Sequence, residues 1–432
     1  MIKYLFTAIL SITALTPVHA EVIAIRAGRV ITDAYLPARG ASTIIVENGR
    51  IIAVNEAAAA IPAGATVVDL GNRTVLPGLI DVHVHLGGYS DDPWYASVAP
   101  KRTEEYAVAI GLSNALITAR AGFTSVREVG GGARATIAVR DAVNDGLAPG
   151  PRIQTAGTSL SIIGGHADST VGINPEIGDA LDKMYPQIGV CTGAEGCAAA
   201  VRQVAKTRVD LIKIVATGGV LDDGKTGLEQ HFTNAEMKSI VDTAHMLGLK
   251  VAAHAHGARG IEAAINAGVD SIEHGTFADD TDIKLMKAKG TYMVATLMAF
   301  EGLKEHLGKG FFTPNVEAKG LQTLSIQGKA LAAAYRAGVP IALGTDAGVY
   351  KHGRNAEELP MMVKLGGMSP KDALYAATMG GAKLMGIDGE TGTLVAGKSA
   401  DLIAVDGDPL TDPAAVLKIR YVMVKGKSIG LQ

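Results

Sequence analysis

Residues 75–86 read VLPGLIDVHVHL. Alternating positions in this apolar run carry Asp81, His83 and His85, and side chains two apart on a strand share a face. Three polar groups on one buried face are costly unless something binds them there. A lone histidine in such a run reads as a hydrogen-bonded core residue. A His-x-His pair with an acid two positions before it, set among Val, Leu and Ile, reads as part of a metal site.

Outward from this run, strand–helix alternation fills the middle of the chain. Strand candidates fall at 79–85, 123–128, 152–156, 210–215, 249–254, 270–273, 292–296 and 340–345, and helical stretches follow them. Thr233 and Glu236 have the spacing of a capping box, and Ser369-Pro370 joins an N-cap to a first-turn proline. Eight β/α units in roughly 300 residues predict an α/β chain with a (β/α)8 TIM barrel over 77–388 rather than an open doubly wound sheet. The stretch 157–205 is the longest insertion between strands and is expected to form a loop over one face. Short β-like runs occupy 21–76 and recur at 389–432. Each is too small to hold a core alone, so the two ends are expected to combine into one small β-sandwich domain.

The bulk composition agrees with this frame. The chain has 432 residues, 48% of them hydrophobic and 4% aromatic, with 53 glycines and a net charge of −3. No Lys/Arg block or basic stripe is present, which argues against nucleic acid as a partner. Residues 1–20, MIKYLFTAILSITALTPVHA, combine Lys3, a short apolar core and small residues at 18 and 20. They read as a signal peptide cleaved near Ala20, which predicts a periplasmic or secreted protein. No later segment is apolar for long enough to span a membrane. Cys191 and Cys197 are the two cysteines. In an oxidising compartment they suit a short-loop disulfide, and free thiols are the alternative.

In a barrel of this kind chemistry sits at the C-terminal ends of the strands. Those ends carry His83 and His85, Lys213 in DLIKIVATGG, His254 and His256 in KVAAHAHG, His274 in SIEHGT and Asp346 in ALGTDAG. Lys213 is the most informative. An ammonium among aliphatic side chains either snorkels to the strand mouth or becomes neutral or modified. Beside a polyhistidine site, a neutral amine can take up carbon dioxide and become an anionic carbamate, N6-carboxylysine, whose two oxygens can bridge two cations. Oxygen and imidazole ligands together suit zinc first, with manganese, cobalt or iron as alternatives. No G-x-S-x-G is present, and neither cysteine lies at a strand end beside a histidine, so covalent catalysis has little support.

In this order along the chain, PGLIDVHVHL, DLIKIVATGG, HAHG, SIEHGT and GTDAG resemble the amidohydrolase superfamily, in the binuclear branch of the bacterial Xaa-Pro and Xaa-Arg/Lys dipeptidases and the ochratoxinase-like amidases. The resemblance covers essentially all of the mature chain. It implies two divalent metal ions, with His83, His85 and Asp346 on one, His254 and His274 on the other, and carboxylated Lys213 bridging them. His256 is then a supporting or structural residue. The resemblance also implies a metal-activated water attacking an amide carbonyl, with Asp346 as the catalytic proton shuttle and His166, in SIIGGHADST, stabilising the oxyanion. Arg259 is expected to meet the substrate's α-carboxylate, with His231 and His352 as weaker candidates for the pocket lining. The expected activity is cleavage of the amide bond to a C-terminal amino acid, in dipeptides, N-acyl amino acids or ochratoxin-type amides, by a homo-oligomer. Ring hydrolysis or deamination of the imidazolonepropionase type is the alternative, as is lactone or phosphotriester hydrolysis. Lys213 argues against the imidazolonepropionase type, whose members usually use one metal and lack that lysine. A non-catalytic scaffold would be expected to have lost ligands, and all six positions are filled.

Overall fold

A computed structural model describes residues 21–56, 60–88, 103–184, 186–223 and 227–431. The leader expected at 1–20 lies outside the described residues. The chain is a mixed α/β protein built on parallel strands. Leu79–Val84 pairs with Phe123–Glu128, which pairs with Arg152–Thr155. Leu211–Val215, Lys250–Ala255, Ser271–His274 and Tyr292–Val294 form a second parallel sheet in that order. Isolated parallel bridges, Leu160 with Ile214, Met293 with Ile341 and Val84 with Ala347, link these strands to what lies between them. Leu79–Val84, Phe123–Glu128, Leu211–Val215 and Ser271–His274 are buried at every position, as parallel strands covered on both faces are.

The strand expected at 340–345 is not regular. The segment still bonds to both neighbours, through Met293 N–H to the Pro340 carbonyl and Val82 N–H to the Leu343 carbonyl, each 2.9 Å. Two features break its extended course. Gly344 lies so close to the first strand that a Cβ there would fall 2.8 Å from that of His83. Asp346 has φ +62°. The break turns the Asp346 carboxylate toward the histidines.

The helices follow their sequence signals. Thr233 and Glu236 complete a reciprocal capping box on Asn234–Met246, and Ser369 caps Pro370–Tyr375. Ala258–Ala267 buries Ile261, Ala264 and Ile265 at helical spacing and stops where Gly268 turns left-handed at φ +103°. The insertion 157–205 is more than a loop. It holds Pro175–Met184, Ala194–Lys206 and a parallel pair, Ser161–Ile162 with Val190–Cys191. Cys191 and Cys197 form a disulfide there, with Cα atoms 5.0 Å apart.

The chain ends meet in two further sheets. In one, Val22–Ala27 lies between Ser42–Glu47 and Thr66–Asp69, and Arg50–Glu56 forms its edge. In the other, Thr74–Pro77 runs antiparallel to Leu402–Val405, so residues more than 300 apart share a ladder. Ile25, Ile44, Val75, Leu402 and Met423 belong to one apolar cluster spanning both sheets. Each such side chain contributes about 1.5–3 kcal/mol on full burial.

Candidate metal centre

The first strand delivers His83 and His85 to a common point. Nδ1 of His83 lies 2.7 Å from Glu273 Oε2, and Nδ1 of His85 lies 2.6 Å from the Gly130 carbonyl oxygen. Their Nε2 atoms lie 3.4 and 3.2 Å from the same oxygen, Asp346 Oδ1. Both nitrogens of each ring therefore face acceptors. Either an imidazolium or a cation between Nε2 and the carboxylate satisfies that arrangement. Burial opposes charge on His85, but Asp346 outweighs it and raises the imidazole above its ordinary value. The carboxyl of Asp346 would be raised by burial, yet His83 and His85 hold it well below the usual range.

Asp81 does not join this convergence. Its carboxylate accepts the N–H groups of His83 and Thr345, each at 3.1 Å, together with the Thr345 hydroxyl at 2.6 Å and Asn355 Nδ2 at 2.9 Å. It ties the irregular 340–347 segment to the first strand. Burial raises its carboxyl to about 7.

Strands Lys250–Ala255 and Ser271–His274 supply the other side. Ligand atoms of His254, His256 and His274 lie within 4.8 Å of one another, and so do those of His83, His274 and Asp346. His274 belongs to both groups, so the site is continuous. His256 stands among the candidate donors beside His254, with its Nδ1 2.8 Å from the Thr276 hydroxyl. Nδ1 of His274 is 2.7 Å from the Thr296 hydroxyl. Burial first, then neighbouring cationic groups, keeps His254 and His274 neutral far below their ordinary pKa. The Nε2 atoms of His83 and His254 are buried without a hydrogen-bond partner. Lys213 is 2% exposed and lines the same cavity. Burial pushes its amine down to about 8, against the opposing pull of Glu273 and Asp346.

The cavity measures about 240 Å³ and has a polar floor of these groups under an apolar wall of Leu221, Phe300, Leu303 and Val349. His166 lines it, with its ring 4.7 Å from that of His254. The structure does not bring the other expected pocket residues into the lining. Arg259 is exposed in the first turn of Ala258–Ala267. His352 is half-buried behind His85, with Nδ1 2.9 Å from the Thr118 hydroxyl and Nε2 3.2 Å from the His85 carbonyl oxygen. His231 packs behind Gly165 and Gly218, where added Cβ atoms would lie 3.1 and 3.3 Å from its ring nitrogens.

Two buried charges escaped the sequence reading. Arg127 donates from Nη2 to Glu273 Oε1 at 2.7 Å and from Nε to the Val82 carbonyl at 2.6 Å. Glu273 thereby fixes the His83 ring, leaving its Nε2 for the site. Burial would raise the Glu273 carboxyl, but Arg127 and His83 hold it at about 2. A charged residue inside an apolar strand, the signal used for Lys213, was present in both FTSVRE and SIEH.

The sequence pattern of the amidohydrolase family matches residues 74–429. The chain belongs to that family. This amidohydrolase is 35% identical over 412 residues to ochratoxinase of Aspergillus niger, covering 91% of this chain and 83% of the relative. It is similar to a crystal structure of a Xaa-Pro dipeptidase with methionine bound in the active site, at TM-score 0.88 and 38% identity over 94% of this chain and 99% of the other. A prolidase complexed with N-methylphosphonate-L-proline matches at TM-score 0.85 and 29% identity, over 95% of this chain and 100% of the other.

Proposed function

We propose that this amidohydrolase hydrolyses the amide bond to a C-terminal amino acid, in dipeptides or N-acyl amino acids with an apolar group beside the scissile bond. The observation that carries the reading is the pair of donor groups sharing His274, with buried Lys213 beside them. The residues fit a two-cation site, because the unpartnered Nε2 atoms of His83 and His254 are what a cation would satisfy. His83, His85 and Asp346 would hold one ion and His254 and His274 the other, zinc suiting both. Carboxylated Lys213 would bridge them: the neutral amine bonds to the carbon of carbon dioxide and releases one proton to solvent. When bound, such ions lower the pKa of a water and polarise a carbonyl.

The chain's own side chains supply the remaining steps. Asp346 takes a proton from the attacking water and returns it to the departing amine. His166 donates a hydrogen bond to the carbonyl oxygen as negative charge develops there. Leu221, Phe300, Leu303 and Val349 exclude water and favour an apolar side chain. Arg259 is the candidate for the substrate's α-carboxylate, which an arginine fork suits. We further read 77–388 as a (β/α)8 barrel and the flanking sheets as a β-sandwich. We read residues 1–20 as an export leader and the protein as a homo-oligomer. The disulfide supports an oxidising compartment.

The test is Asp346→Asn, assayed on N-acyl amino acids and dipeptides varied at the C-terminal residue. Turnover should fall about 10²–10⁴-fold, the range of a general acid–base group, with most of the metal retained by elemental analysis. Wild-type turnover in that variant would refute the proton shuttle. A wild-type preparation with one ion per chain and an unmodified Lys213 would refute the binuclear site.

A further inference from the structure

Leu221 of the apolar wall and the carboxylate facing His166 lie on one short segment, 218–223, and metal binding does not explain how that segment is fixed. Asp222 Oδ2 accepts the Gly219 N–H at 2.7 Å and lies 3.1 Å from His166 Nδ1, off the straight line of a hydrogen bond. Catalytic hydrogen bonds are often so aligned before substrate binds. Lys319 Nζ donates to Asp222 Oδ1 at 2.8 Å and to the carbonyls of Gly219 and Asp222, each at 2.6 Å. All three ammonium hydrogens are thus committed to the segment. Lys319 is 9% exposed. Burying an ion pair carries a desolvation cost, and a loop can be anchored without one. The His166 ring has no slack either, because a Cβ at Gly219 would come within 2.2 Å of its Cε1.

We propose that Asp222, braced by Lys319, is a positioning residue that holds Nδ1 of His166 and so aims Nε2 at the carbonyl oxygen of the bound substrate. Asp222 itself does not touch substrate. Val220 and Leu221 line the cavity immediately before Asp222, so one part of the apolar wall and the brace behind His166 share a strap. The inference rests on the role proposed above for His166.

The experiment compares Asp222→Asn, Lys319→Gln, His166→Ala and the Asp222→Asn/His166→Ala double variant, all metal-loaded. Each is read for kcat, KM, metal content, thermal unfolding and the Kd of an N-methylphosphonate amino acid, a tetrahedral mimic. Asp222→Asn should lower kcat about 10- to 100-fold, the loss a misplaced group produces, with KM and metal content near wild type. Phosphonate affinity should fall by a similar factor. Lys319→Gln should move the same readouts in the same direction by less. The double variant should be no worse than His166→Ala alone. Independent, multiplying losses in the double variant would overturn the proposal, because Asp222 would then act elsewhere. Unchanged kcat in both Asp222→Asn and Lys319→Gln would overturn it while leaving the role of His166 standing. Unchanged kcat and phosphonate affinity in His166→Ala would sink both.

Discussion

Replacing Glu273 with Gln separates the two jobs of that carboxylate. It accepts from Arg127 and faces Nδ1 of His83, and neither partner is solvated: Arg127 is 2% exposed, His83 and Glu273 0%. A glutamine oxygen could still accept from one of them, but its amide would then offer a donor to the other. Breaking a buried pair by removing one charge costs about 3–5 kcal/mol. The acidity of the group gives a separate measure. A carboxyl held at about 2 instead of the ordinary 4.5 corresponds to about 3 kcal/mol of preference for the charged form. Because the folded-state value is depressed, that contribution is complete above pH 4.5 and is lost as the pH falls toward about 2. Metal-free Glu273→Gln should therefore lose about 3–5 kcal/mol in urea unfolding at neutral pH and much less near pH 3. Zinc titrated into the folded variant should bind about 10- to 100-fold more weakly, the usual effect of losing a carboxylate behind a ligating histidine. Loss of stability below about 1 kcal/mol, together with zinc affinity within about twofold of wild type, would refute the argument that Glu273 orients His83.

Two further outcomes follow from the same geometry. Lys213→Ala should lose most of its bound metal and activity, and added short-chain carboxylate should restore part of both by supplying the missing oxygens; full metal content without additive, by elemental analysis, would contradict the carbamate bridge. Cys191→Ser/Cys197→Ser opens a loop of sequence separation 6 and should cost about 2 kcal/mol in denaturant midpoint on the chain-entropy account. No shift would mean that the pairing of Ser161–Ile162 with Val190–Cys191 holds that region unaided.

The parts of the site legible in the sequence are those that repeat the period of a strand. His83 and His85 share a face two residues apart, and Lys213 interrupts an apolar strand, so each announces itself locally. Arg127 and Glu273 interrupt strands in the same way, but their meaning lies in a contact across 146 residues, which no local pattern encodes. The brace from Lys319 to Asp222 spans 97 residues and involves a loop with no period at all. The expectation for Arg259 came from the family resemblance, and no local pattern says which way its side chain turns. Ile261, Ala264 and Ile265 form the buried face of that helix. Arg259 lies about 200° around the axis from Ile261 at 100° per residue, which puts it off that buried face and in solvent. ALGTDAG reads as a strand by hydrophobicity, whereas its course depends on the close approach of Gly344 and the left-handed Asp346.

Backbone conformation ties the site together in a way no side-chain pattern reveals. His274, Thr296 and Asp346 have φ of +69°, +47° and +62°, a region that costs a non-glycine residue about 1–3 kcal/mol. All three line the one cavity. The other non-glycine residues with positive φ among those described, Asn48, Arg208 and Lys425, lie outside its lining. Surrounding bonds over-determine the cavity three. Asp81 grips Thr345 beside Asp346, the Thr296 hydroxyl meets His274 Nδ1, and Glu358 accepts the N–H groups of Leu297 and Met298 at 2.8 and 2.7 Å just after Thr296. Burial raises the Glu358 carboxyl to about 8, so that support is itself costly to maintain. A regular strand end would have alternated these side chains away from one another. Leaving the extended course at three strand ends turns the His274 and Asp346 side chains toward His83, and the buried polar network around them is what makes that geometry persist.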